Sequence, residues 1–365
     1  MKFDYNARQA KLNEIGRVDL IALVPGANMV YHTGLEFHLS ERPVLAFYSG
    51  DGQLSFIIPE LEVSKVTNRT DLDAQIFSWA DEEGYAKAFE EAVSVLNLDS
   101  VVLGVDGMTM RVFEVMALTD AGVKQIKDVG EKLLNIRSVK AQEEIDAMRE
   151  AVKISEQALH KLMKQVKVGM TESEIASELS RILSELGSDS EAFHPLVQTG
   201  PNSAVPHGMT TERVLSEGEF LLIDFGGKKH GYPADITRTF CFGKPNDELQ
   251  KIFDTVVAAN EAAIKIAKAG VSCGDVDKAA RDVIEKAGYG EYFIHRTGHG
   301  LGLEGHELPQ IASGVDDKLE VGMVFTVEPG IYVPDLGGVR IEDDVVVLED
   351  GVDVLTSYPK TLKPE

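Results

Sequence analysis

The sequence predicts an α/β N-terminal domain followed by an α+β C-terminal domain with internal two-fold pseudo-symmetry. Three observations carry this reading. The first third alternates short β-rich runs with helical segments. The pattern changes near residue 137 to long amphipathic helices. The second half then repeats itself at a nearly constant offset. A chain of 365 residues is long enough for about two domains at ~150 residues each.

In the first third, residues 18–24, 43–49, 54–58 and 101–105 are short β-rich runs bounded by Gly, Pro, Asp or Asn. Segments 4–15, 61–68 and 82–95 fit helices, giving a three-layer α/β domain over residues 1–130. It carries no catalytic signature. From Ser138 to Val166, apolar residues at Ile145, Met148, Val152, Leu159, Leu162, Met163 and Val166 keep the spacing of one helical face. Thr171 opens a second helix with Glu174 in a capping box, and that helix ends near Gly187. Residues 192–245 read as several strands joined by turns.

The repeat is visible in two stretches. Gly169-Met170-Thr171 before Glu174-Ile175 matches Gly270-Val271-Ser272 before Asp275-Val276, and residues 218–224 match residues 322–328. A period of just over a hundred residues is no solenoid; it implies one domain built from two related halves. Each half delivers a carboxylate at the same point, Asp224 and Glu328.

Charge and composition narrow the function classes. The net charge of −24 repels phosphate backbones, so nucleic acid and anionic membrane are poor partners. The N-terminus has neither the apolar core nor the cleavage site of a secretory signal, and no apolar run reaches the ~20 residues of a membrane helix, so a cytoplasmic location is expected. Cys241 and Cys273, in no metal-ligand spacing, read as reduced thiols.

The chemistry gathers on acids and imidazoles. Asp224 ends the apolar strand LLID, and Asp235 lies eleven residues later. A symmetric hairpin centred between Lys229 and His230 sets the two opposite each other, with Cβ atoms ~5 Å apart. Facing carboxylates need a cation between them. The second half offers Glu328 and, after the PGIYVPDLGG loop, Glu342. Four converging carboxylates balance two divalent ions, and oxygen-rich ligands suit Mn²⁺-type ions. His299 is a natural fifth ligand. Two such ions sharing a hydroxide make a nucleophile at neutral pH and polarise a carbonyl. The glycines of His299–His306 also satisfy GxGxxG, but the flanking histidines and Pro309 fit a dinucleotide-binding helix start badly; glycines that let backbone approach a substrate explain them better.

HRTGHGLGLEGHE, the Asp-x10-Asp of IDFGGKKHGYPADITRTF, VEPG and GGVRIEDD resemble the dinuclear-metal pita-bread peptidases, which include Xaa-Pro dipeptidase (prolidase), aminopeptidase P and methionine aminopeptidase. GPNSAVPHG resembles their segment carrying a further histidine. The resemblance spans roughly residues 137–350, placing the catalytic domain at 137–355, and the first third is similar to the creatinase/prolidase N-terminal domain, which argues against methionine aminopeptidase. It implies that Asp224, Asp235, His299, Glu328 and Glu342 hold two divalent metal ions per chain, Mn²⁺ favoured and Co²⁺ or Zn²⁺ as alternatives, with Asp235 and Glu342 bridging. It implies Glu328 as general base, and His207 and His306 as groups that contact the scissile region and stabilise the tetrahedral intermediate. Arg340 orders the carboxylates or binds substrate, Phe193 walls the proline pocket, and His38 sits in a loop comparable to one with which related prolidases close a partner's active site, so a homodimer is expected. His295 and His230 receive no role.

The implied activity is hydrolysis of Xaa-Pro dipeptides or short peptides before proline. Aminopeptidase P, working on longer peptides, is the rival. Two departures bear on that choice: many prolidases read His-Glu-x-Pro-Arg where this chain has Gln310, and Lys229 stands where relatives often have Tyr. Creatinase-type metal-free hydrolysis and a non-catalytic binding module both fit the retained ligand set less well.

Overall fold

The structure is a computed structural model that describes residues 2–364. The chain divides into two compact units, Lys2–Arg137 and the remainder from Ser138 onward.

The first unit is built on one six-stranded sheet. Its strands are β1 (Leu20–Leu23), β2 (Leu45–Ser49), β3 (Leu54–Pro59), β4 (Ala74–Trp79), β5 (Val102–Val105) and β6 (Gln125–Asp128), in the spatial order β4-β3-β2-β1-β5-β6. Alternate residues serve opposite faces. Ala22, Phe47, Ile57 and Leu103 pack with Phe89 and Leu118 on one side, while Ile21, Ala46, Phe56 and Ile58 pack with Met29 and Leu133 on the other. Both faces are therefore covered by helices, in three layers. The sequence pattern misses β4 and β6 because they are the edge strands, whose partly exposed residues dilute the apolar signal. It also misses the helices Ala27–Thr33, Val112–Asp120 and Gly130–Ser138. The helix expected over 4–15 is a short α-helix, Tyr5–Ala10, tightened into a 3₁₀ turn over Lys11–Glu14.

The helix expected from Ser138 to Val166 starts later, at Gln142, and ends at Met163. Val139 and Lys140 are diverted into backbone pairing with Met323 and Gly322, which ends the preceding helix at Ser138. The two halves of this unit then build alike. Thr171 and Glu174 form the capping box of helix Glu172–Glu185, with Glu174 N donating to Thr171 Oγ1 (3.1 Å) and Thr171 N to Glu174 Oε2 (2.9 Å). Ser272 caps helix Cys273–Lys286 through Asp275 N, also at 3.1 Å. The backbone before each helix is tied the same way: Gly169 N to Leu215 O, and Gly270 N to Leu319 O.

The strands of this unit are β7 (Ser190–Glu191), β8 (Leu196–Thr199), β9 (Phe220–Phe225), β10 (Gly227–Lys229), β11 (Tyr232–Pro233), β12 (Ile236–Cys241), β13 (Gly298–Gly300), β14 (Glu307–Ile311), β15 (Val324–Val327), β16 (Gly330–Val333), β17 (Gly337–Arg340), β18 (Asp343–Leu348) and β19 (Gly351–Val354). In one half β9 lies between β8 and β12; in the other β15 lies between β13 and β18. The halves meet where β12 runs beside residues 340–342: Glu342 N donates to Thr237 O (3.1 Å) and Thr239 Oγ1 to Arg340 O (3.0 Å). The buried Arg238 locks the seam from behind, donating to Glu342 O (2.5 Å) and to Asp343 Oδ1 (2.8 Å). Both cysteines are buried and unpaired.

Removing either cap should cost stability without touching the seam. Thr171→Ala and Ser272→Ala are each expected to lower the unfolding free energy by about 1 kcal/mol. The two effects should add, because the caps lie in different halves and share no partner. Urea unfolding of the single and double variants checks this; a double variant no worse than either single would show the caps to be coupled.

Candidate functional site

Asp224 is the penultimate residue of β9, a strand of otherwise buried apolar side chains. It does not face Asp235. Its partners are Thr237 on β12 and Leu196 on β8. The hairpin turns one residue later than symmetry suggests, at His230–Gly231, both with positive φ (+53° and +85°), the geometry of a two-residue turn between twisted strands. Moving the turn by one residue moves the partner by two, which preserves the face. Asp235 falls between β11 and β12, its N–H held by Asp344 Oδ2 at 3.1 Å. Glu328 follows β15, its N–H bonded to Thr297 O (2.7 Å), and Glu342 precedes β18 and accepts from Thr237 Oγ1 (2.6 Å).

His299 lies at the centre of β13, flanked by Gly298 and Gly300, where a Cβ would strike the carbonyls of Thr326 and Leu308. Its Nδ1 is 3.1 Å from Gly300 O. A carbonyl only accepts, so Nδ1 carries the proton and Nε2 presents a lone pair. That lone pair faces Glu328 Oε1 at 3.3 Å and Asp235 Oδ2 at 3.8 Å. An acceptor pointing at acceptors marks the place of a cation, with the outer ring nitrogen fixed as in metal-bound histidines. Asp235, His299 and Glu342 offer ligand atoms within 4.8 Å of one another. Asp224 Oδ1 is buried with no hydrogen-bond partner. Oxygen and imidazole donors of this kind suit a divalent ion.

Electrostatics agree. Burial, then the neighbouring Glu342 and Asp224, holds the Asp235 carboxyl well above its ordinary range. Burial and Glu328 do the same to Glu342. Glu328 is pushed up to about 7 by burial, with Arg340 opposing and Asp224 reinforcing the shift. His299 falls to about 3, chiefly through burial, and stays neutral. The three acids of GGVRIEDD diverge in role. Glu342 enters the cavity, Asp343 pairs with Arg238 and Lys360, and Asp344 holds the Asp235 backbone.

These groups line a cavity of about 940 Å³ within the second unit. Asp224, Asp235, His299, Glu328 and Glu342 lie in it, and so do His207, His306, Phe193 and Arg340. His306 stacks at a tilt on His299, ring centroids 4.0 Å apart. The buried Arg340 is committed: it donates to Asp224 Oδ2, to Thr237 Oγ1 (3.1 Å) and to the Tyr332 hydroxyl (2.9 Å). His38 is an exposed loop residue of the first unit and is not among the lining residues. Neither are Gln310, exposed on β14, or Lys229, which pairs with Asp189.

Sequence reasoning missed several supports. His295 lines the cavity, its Nε2 2.8 Å from the Tyr332 hydroxyl and its Nδ1 2.7 Å from Arg296 O. By the same carbonyl argument Nδ1 donates and Nε2 accepts. Tyr332 therefore donates to His295 and accepts from Arg340. Glu172, fully buried, accepts from the backbone and hydroxyl of both Thr199 and Thr211 and from Asn202, clamping both ends of the loop that carries His207. Asp277 accepts from Thr297 N and Oγ1, and Arg281 donates to the carbonyls of Phe293 and His295, which fixes the segment leading to His299. Only the His295 position had a sequence signal, its place in the HRTGHG run.

Fold and site together define a metal-dependent peptidase with a creatinase-type N-terminal domain. Residues 146–349 match the model of metallopeptidase family M24, and residues 6–139 that of the creatinase/prolidase N-terminal domain. The chain belongs to metallopeptidase family M24, whose members use divalent metal. It is 37 % identical over 336 residues to the putative dipeptidase YkvY of Bacillus subtilis (strain 168), covering 92 % of each chain. It superposes on a prolidase from Thermococcus sibiricus with a TM-score of 0.93 and 32 % identity over 100 % of both chains. It superposes on an X-Pro aminopeptidase from Thermotoga maritima MSB8 with a TM-score of 0.87 and 31 % identity, covering 98 % of this chain and 99 % of that one. No helix among the described residues is long and apolar enough to cross a membrane.

The raised carboxyls make the metal-free protein sensitive to pH. Between about 4.5 and 7, folded Glu328 keeps a proton that the unfolded chain has released, so its contribution is full below 4.5 and is lost as pH rises through 7. Asp235 and Glu342 act in the same direction. The chelated protein should therefore melt lower at pH 8 than at pH 5, and Glu328→Gln should flatten that slope. Equal slopes for wild type and variant would contradict the electrostatics described.

Proposed function

We propose that this chain hydrolyses the peptide bond before proline and is an Xaa-Pro dipeptidase. It would hold two divalent ions, Mn²⁺ favoured, through Asp224, Asp235, His299, Glu328 and Glu342, with Asp235 and Glu342 shared between them. The observation that carries the reading is the His299 lone pair aimed at carboxylates of both halves, in a chain similar to a prolidase over its whole length. Bound divalent ions supply Lewis acidity, which lowers the pKa of water and polarises a carbonyl.

The chain's own residues do the rest. Glu328, whose carboxyl sits near neutrality without metal, takes a proton from the attacking water and returns it to the imino nitrogen of the leaving proline. His207 and His306, both exposed to the cavity, donate to the oxygen that becomes negative as the carbonyl is attacked. Arg340 keeps Asp224 oriented by donating to its Oδ2. Phe193 offers an apolar wall to the proline ring. Assembly as a cytoplasmic homodimer acting on short peptides, with His38 reaching a partner's site, belongs to the same reading. Aminopeptidase P activity on longer peptides is the second reading. It is favoured by the likeness to the X-Pro aminopeptidase and by Gln310 lying outside the cavity.

The test compares Ala-Pro with Ala-Pro-Ala at equal concentration in Mn²⁺. The dipeptide should be cleaved faster, chelation should abolish turnover, and Glu328→Gln should lower kcat by at least ~10²-fold with the melting temperature preserved. Faster cleavage of the tripeptide would establish the second reading; no cleavage of either with Mn²⁺, Co²⁺ or Zn²⁺ would overturn both.

A further inference from the structure

Asn260 is fully buried on the long helix Asp247–Ile266, among apolar neighbours such as Ile252, Phe253, Val256 and Ala263. An amide in such surroundings is costly unless its polar atoms find partners. Here they do. Nδ2 donates to Val327 O (2.8 Å) and, at longer range, to Ile341 O (3.4 Å), and Oδ1 accepts from Lys360 Nζ (2.6 Å). Carbonyls only accept and an ammonium only donates, so the neighbours permit one orientation of the amide. Lys360 is itself held by Asp343 Oδ2 at 2.6 Å.

Each of the two carbonyls belongs to the peptide group that launches a cavity carboxylate: Val327 precedes Glu328, and Ile341 precedes Glu342. The opposite edges of the same peptide groups are fixed as well, Glu328 N by Thr297 O (2.7 Å) and Glu342 N by Thr237 O (3.1 Å). A peptide group is planar, so holding it by both edges fixes the direction in which the next side chain leaves. The β15–β18 ladder cannot do this, because it ends at the Val327–Asp343 pair and both glutamates lie just beyond it. Asn260 bridges the gap that the ladder leaves. The fold itself does not demand an amide there: at the offset that matches Gly169 with Gly270, Asn260 falls on Leu159, which is buried and apolar.

We propose that Asn260, oriented by Lys360, sets the separation and direction of Glu328 and Glu342 and so tunes how tightly, and in what geometry, the cavity holds its divalent ions. This rests on the two-ion reading above, in which both glutamates are ligands. Asn260 is not among the cavity-lining residues. It is a positioning residue, acting through the backbone that leads to the ligands, and partners one step behind the ligands commonly govern metal affinity.

The experiment titrates Mn²⁺ calorimetrically into chelated wild type, Asn260→Leu, Asn260→Gln and Lys360→Met. It also records the visible absorption of each protein loaded with Co²⁺, whose bands report ligand geometry. Asn260→Leu puts into this half the residue that the other half carries. Wild type should bind two equivalents of Mn²⁺. Asn260→Leu should weaken at least one of them, on the order of 10- to 100-fold, and shift the Co²⁺ bands. Asn260→Gln, which keeps the amide, should recover part of that affinity, and Lys360→Met should move both readouts in the same direction as Asn260→Leu but less. A folded Asn260→Leu with the wild-type isotherm and spectrum would overturn the proposal and leave Asn260 a core residue only. If Asn260→Leu does not fold, Lys360→Met decides, and a wild-type isotherm and spectrum there overturn the proposal equally. A wild type that binds fewer than two equivalents would instead remove the two-ion reading, and the proposal with it, whatever the variants do.

Discussion

Four carboxylates from two halves of one domain converge in a single cavity, and holding that much acid together there is the constraint that shapes everything around it. Burial drives Asp235, Glu328 and Glu342 toward the protonated form, and the neighbouring Asp224 pushes all three further the same way. The protein supplies some compensation of its own. Arg340 is placed against Asp224, and Arg238 with Lys360 neutralises Asp343 directly beneath. What remains is negative charge without a protein partner, together with an imidazole lone pair aimed at it. Divalent metal is the physical completion of that arrangement, which is why membership of a metallopeptidase family and the electrostatics of the cavity say the same thing.

The two-fold repeat explains how such a site is assembled at tolerable cost. Each half places an acid at the end region of a buried apolar strand, Asp224 one residue before the end of β9 and Glu328 one residue after β15, so the strand's packing fixes the carboxylate. The halves are then specialised. At equivalent helix starts, Glu172 N bonds Arg213 O and Cys273 N bonds Asp317 O, yet only Glu172 carries a carboxylate. The backbone arrangement forms without it, and its side chain is given over to the loop bearing His207. The second half anchors its histidine segment differently, through Asp277 and Arg281. Loops that must present polar groups to substrate are thus held by buried charged side chains at their bases, as preorganised sites require.

Much of this was legible in the sequence, for physical reasons. Apolar runs that end in acids, repeated at a fixed offset, report strands and the points where they leave the core. The Thr171 and Ser272 caps report helix starts because the hydrogen bonds are local. Less local features were not legible. The edge strands β4 and β6 bury too little to show a pattern. The hairpin register depended on His230 adopting a left-handed conformation beside Gly231, which composition alone does not specify. The chain from His295 through Tyr332 and Arg340 to Asp224 links residues up to 116 positions apart, and Glu172 reaches Thr211 across 39. Such contacts exist only once the fold has formed.

The most direct test of the account is calorimetric titration of Mn²⁺ into chelated protein, comparing wild type with Asp235→Asn. If the converging carboxylates are a two-ion centre sharing Asp235, wild type binds two equivalents and the variant loses affinity for both. An identical isotherm in the two proteins, or the absence of binding in wild type, would contradict it.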